Sequence, residues 1–96
     1  MEFPNQIFLK RSDEHIQLSN QQVRAAEPRA VNASMMYATA RFNAWTSAIG
    51  WDTKEQMKQA KAETIEHFLS QYRKMLEENF DDYINRYDDY IGKNRE

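Results

Sequence analysis

The sequence predicts an all-α protein: an antiparallel bundle of three main helices, the third long and bent near Asn79, in a single domain over residues 1–96. Three observations predict it. Apolar residues recur by threes and fours through Ile65, Leu69, Tyr72, Leu76, Phe80, Tyr83, Tyr87 and Tyr90, with Phe68, Met75, Ile84 and Ile91 broadening the stripe, which is the spacing of a core-facing helix. Two glycines and two prolines in 96 residues leave few places to turn. No stretch shows the period-two alternation and two-residue turns of hairpins.

The first helix opens at Pro4 or Asn5, since proline suits a first turn and asparagine accepts hydrogen bonds from unpaired N–H groups there. It runs to about Ala26, with Phe8, Ser12, Ile16, Ser19, Val23 and Ala26 on one side and mainly charged or amide residues on the other. So polar a helix is held by burial of its stripe rather than by its own propensity. Glu27-Pro28 is expected to end it, because proline displaces the preceding residue from helical angles and has no N–H to donate.

After a short linker through Val31, Asn32 or Ser34 caps a second helix that runs to Ile49. Ala33, Tyr37, Ala40, Ala44 and Ala48 form a stripe of mostly small residues where another helix can approach closely. Gly50 is expected to close this helix in a left-handed conformation. Thr53 and Gln56 have the spacing of a capping box for the third helix.

Length constrains the third helix. About 39 unbroken residues would span roughly 58 Å, whereas a compact chain of this size is about 30 to 35 Å across. Either the helix bends, with Asn79 as the expected break and Asp81 and Asp82 beside it to complement a new helix start, or a second copy covers its aromatic end through Phe80, Tyr83, Ile84, Tyr87, Tyr90 and Ile91.

Ala33-Ser34-Met35-Met36-Tyr37-Ala38-Thr39-Ala40-Arg41-Phe42-Asn43-Ala44-Trp45 and Gln71-Tyr72-Arg73-Lys74-Met75-Leu76-Glu77-Glu78-Asn79-Phe80-Asp81-Asp82-Tyr83-Ile84 resemble a family of short proteobacterial proteins classified as a domain of unknown function. The resemblance extends from about Phe8 to Ile91. It implies a bacterial, cytosolic helical protein, and it carries no activity or catalytic residue with it.

Composition narrows the function. A net charge of -2 and a pI near 5.7 supply no field to gather nucleic acid or anionic lipid. The absence of cysteine removes disulfides, thiolate catalysis and thiolate metal sites. No run approaches the roughly 18 to 20 apolar residues of a membrane span, and the first residues lack a basic segment followed by an apolar one. The expected compartment is the cytoplasm.

No residue set carries catalysis, and no metal or cofactor is expected. Glu63 with His67, four apart, and Glu14 next to His15 miss the Glu-x-x-His spacing of di-iron bundles. The acidic series from Glu77 to Asp89 lacks the ligand order of a calcium loop and reads as a solvated face. Tyr83, Tyr87 and Tyr90 lie in an acidic segment, where phosphate would be repelled. Arg41 and Asn43 interrupt an otherwise apolar helix. Two readings follow: a helical interaction module that binds another protein or itself, and a small-ligand protein or enzyme with a polar pocket lined by Arg41, Asn43, Trp45 and Tyr72.

Overall fold

A computed structural model describes residues 5–92. The protein is all-α, with three main helices and a short fourth: α1 (Gln6–Gln22), α2 (Pro28–Ala48), α3 (Lys54–Asn85) and α4 (Tyr87–Tyr90). They fall into two units, Met1–Ile49 and Gly50–Glu96.

In the first unit, Asn5 caps α1 as its residue type predicts, its Oδ1 accepting from the Phe8 N–H at 2.8 Å. Pro4, the other candidate, lies outside the described residues. The helix stops at Gln22 rather than near Ala26; Ala25 and Ala26 donate to the Gln22 carbonyl in the turn that follows. Pro28 begins α2 instead of ending α1. Both roles use the missing N–H, but at a helix start that N–H is unpaired in any case, so the first turn absorbs the proline without loss. Val31, assigned to the linker by its sequence context, therefore sits in the first turn of α2, and Asn32 and Ser34 lie inside the helix rather than capping it.

The two helices meet near this turn. Val31 is 6% exposed, the one buried apolar residue among those described, and the Ser19 hydroxyl donates to the Met35 sulfur at 3.6 Å. On α1 the contact uses the expected side, since Ser19 and Phe8 are half-buried. On α2 it uses the other side. Val31, Met35, Asn43 and Ser47, spaced by multiples of four, are buried or half-buried, while Ala33, Tyr37, Ala40, Ala44 and Ala48 are exposed. Once Pro28 rather than Asn32 begins the helix, Val31 is the large apolar residue nearest the returning α1, and it fills the corner. The helix ends at Ala48, with Gly50 in the turn beyond it.

In the second unit the capping box forms as its spacing predicts: Thr53 Oγ1 accepts from the Gln56 N–H at 3.1 Å, and Gln56 Oε1 accepts from the N–H groups of Thr53 and Asp52. From there α3 continues for 32 residues, through Asn79 and on to Asn85. The expected bend at Asn79 does not occur. Its side-chain nitrogen donates to the Met75 carbonyl at 2.8 Å, one turn back, so the amide serves the helix it was expected to interrupt. The break comes at Arg86, with φ -119° and ψ 33°, and α4 follows at once. The residues 54 to 85 extend about 48 Å at the usual rise.

Candidate interaction site

The site is a face of α3. Leu69, Tyr72, Arg73, Leu76, Glu77, Phe80 and Asp81 line a groove of about 430 Å³. Every lining residue comes from this one helix. A groove with a single wall cannot enclose a small molecule, which normally has 70–90% of its surface buried in a site. It can accept another helix. Within α3 no residue is buried; Leu76 is 41% exposed and Phe80 61%, although both lie on the stripe that reads as core in the sequence.

The face keeps its direction over the length of the helix because its pattern repeats every eleven residues. Within α3, Ile65 and Leu76 are in register, as are Leu69 and Phe80, and Tyr72 and Tyr83. Eleven residues make three turns at 3.67 residues per turn, near the 3.6 of a straight helix, so the stripe hardly spirals. Spacing by threes and fours found the stripe; only the longer period shows that it is straight.

Arg73 and Glu77 border the groove, four residues apart. Their spacing suits an ion pair within the helix, yet among the described residues the ion pairs are those of Arg86 with Asp82 at 3.8 Å and with Asp89 at 3.7 Å. Arg73 and Glu77 present opposite charges outward along the same edge.

At the C-terminal end the aromatic residues partly cover one another. The Tyr83 and Tyr90 rings stack with centroids 4.2 Å apart, the Tyr90 hydroxyl donates to Asp82 Oδ2 at 2.6 Å, and the Arg86 guanidinium lies 4.9 Å from the centre of the Tyr90 ring. The Asp82 carboxylate, holding the phenol proton, raises the Tyr90 pKa above its ordinary 10.0, and Arg86 acts in the opposite direction. In this cluster, which the sequence did not disclose, Tyr90 is half-buried. Phe80, Tyr83, Ile84 and Tyr87 remain exposed.

The residues of the expected polar pocket are distributed as follows. Arg41, Asn43 and Trp45 lie on the continuous α2, and Tyr72 lies in the groove of α3. Residues two apart on a helix are about 200° apart around its axis, so α2 carries Arg41 and Asn43 on opposite sides. Arg41 shares a side with Trp45, whose ring packs 5.5 Å from that of Phe42. Asn43 is half-buried, and its backbone carbonyl accepts from the Thr46 hydroxyl. Among the described residues no three His, Asp or Glu side chains gather closely enough to hold a metal ion.

Residues 8–84 match the family described as "Protein of unknown function (DUF3144)". The chain belongs to this family. Among solved structures, it is similar to the protein NB7890A from Shewanella sp., determined by NMR, at 37% identity and a TM-score of 0.77, over 96% of this chain and 98% of that one. A comparison with curated proteins finds no match. The matched region contains all of α2 and the α3 groove, so the groove lies within the segment shared with the family.

Proposed function

We propose that this family member is a non-enzymatic helical protein-interaction module of the bacterial cytoplasm, and that the α3 groove between Leu69 and Asp81 is its docking face. The observation that carries the reading is the one-sided groove: large apolar side chains held on a straight helix with ionic residues along one edge, a form that matches an amphipathic helix. The Shewanella relative supports the bacterial part. No described helix is long and apolar enough to cross a membrane.

The test is affinity capture from a native bacterial lysate with tagged wild type and tagged Phe80→Asp. Recovery of a protein in stoichiometric amounts by the wild type, untagged copies of the chain included, and its loss with Phe80→Asp is the expected result. Failure of the wild type to retain any protein in that proportion would remove the reading.

A further inference from the structure

We propose that the occupant of the α3 groove is a second copy of α3, lying antiparallel and centred on Leu76. The inference rests on the docking-face reading and adds the partner to it.

The stripe is close to a palindrome about Leu76. In an antiparallel pair centred there, residue i of one copy lies beside residue 152 − i of the other; that sum is twice 76. Leu76 then meets its own counterpart, Tyr72 meets Phe80, and Leu69 meets Tyr83. Each layer joins large apolar side chains that are exposed in the single chain. Because the stripe hardly drifts around the helix, these layers form together along a straight contact. A standard interface buries roughly 800 Å² from each partner, which a contact of about four to five turns bearing half-exposed Leu, Phe and Tyr side chains supplies on this order.

Charge fixes the direction. In an antiparallel pair, residues along one edge of the face meet the same edge of the other copy, displaced by about two positions from the layers between them. Arg73 of each copy then lies beside Glu77 of the other, twice over by symmetry. Neither side chain has an ion pair within the described chain, so both are available. A parallel, in-register pair would set this edge against the opposite one, where Phe68 and Met75 stand, and would leave Arg73 and Glu77 unmatched.

Sedimentation of the full chain tests the proposal, with wild type, Arg73→Glu, Glu77→Arg and an equimolar mixture of the two variants. Circular dichroism checks that each variant keeps its helix. The wild type is expected to dimerise, and each variant alone to lose at least about tenfold in dimer affinity, because both inter-copy pairs become like-charged. The mixture is expected to recover affinity. At one of the two symmetry-related contacts the introduced carboxylate of the first variant meets the introduced guanidinium of the second, and at the other the native Glu77 of the first meets the native Arg73 of the second. An ion pair within one helix cannot produce that recovery, because each variant chain still carries its own like charges. A wild type that stays monomeric at all concentrations overturns the second copy as occupant while leaving another protein as the partner. A dimer that Leu76→Asp dissociates, but whose charge variants do not recover on mixing, overturns the antiparallel register and leaves the docking face in place.

Discussion

Val31 and Leu76 are both branched aliphatic residues on long helices, and they end in opposite surroundings. Val31 is 6% exposed, Leu76 41%. The difference lies in what the chain places beside them. The connection after Gln22 turns α1 back along the N-terminal part of α2, where Ser19 reaches Met35. Beside α3, in its own unit, the chain supplies only the four residues of α4. An apolar stripe therefore states that a helix face will be covered, and not which chain will cover it.

The largest effect is expected at Val31. Val31→Asp places an unpaired charge in the corner between α1 and α2 and is expected to cost at least about 3 kcal/mol. Val31→Ala is expected to cost about 1.5 kcal/mol, for two methyl groups and the space they leave. Urea denaturation followed by helicity measures both, and an unchanged midpoint for Val31→Asp would show that α1 does not pack there.

Leu76→Ala sharpens the other side. If a second copy covers Leu76, the substitution is expected to cost roughly 2 to 5 kcal/mol at concentrations where the pair forms, as for a core leucine, and less than about 1 kcal/mol in dilute solution, where the side chain is partly in water. Denaturation at two protein concentrations separates these values; a cost independent of concentration contradicts the inter-copy contact.

Smaller effects belong to the helix ends. Thr53→Ala removes the side-chain half of the capping box and is expected to cost about 1 kcal/mol. Asn79→Ala, in contrast, replaces a residue of poor helix propensity inside a continuous helix and is expected to be neutral or stabilising by up to about 0.5 kcal/mol. A loss near 1 kcal/mol on that change would restore Asn79 to a capping role.

What the sequence made legible follows from the range of the interactions. Asn5 and the Thr53–Gln56 box act over three residues and form as their spacing predicts. Pro28 was legible as a boundary but not as to which side of it belonged to the helix, since a missing N–H suits an end and a start alike. The break at Arg86 was hidden because it accompanies contacts of Tyr90 with Asp82 and Tyr83, eight and seven residues away, which local propensity does not register. For the site, the apolar stripe was plain; the open state of the groove was not, because hydrophobic spacing is the same whether the cover comes from the same chain or another. Arg41 and Asn43 looked alike as interruptions of an apolar run, although their separation by two positions already sets them on opposite sides of a helix.

The Tyr90 cluster gives the mildest test. Its hydrogen bond to Asp82 raises the Tyr90 pKa above 10.0, so the contribution of this contact is complete below the unfolded value and is lost as pH rises through the higher folded one. Spectrophotometric titration is expected to show one of the five tyrosines ionising late, and Asp82→Asn to remove that late step. A wild-type titration with all tyrosines ionising together would contradict the contact.

Isotope-filtered NMR on a mixture of labelled and unlabelled chains shows whether a second copy covers α3. Tyr72 and Phe80 lie about 12 Å apart along one helix, so their rings cannot touch within a straight α3. The expected result is a nuclear Overhauser effect between the Tyr72 ring of one chain and the Phe80 ring of another. A mixture that is dimeric by sedimentation and shows no such contact, or one that remains monomeric throughout, would contradict it.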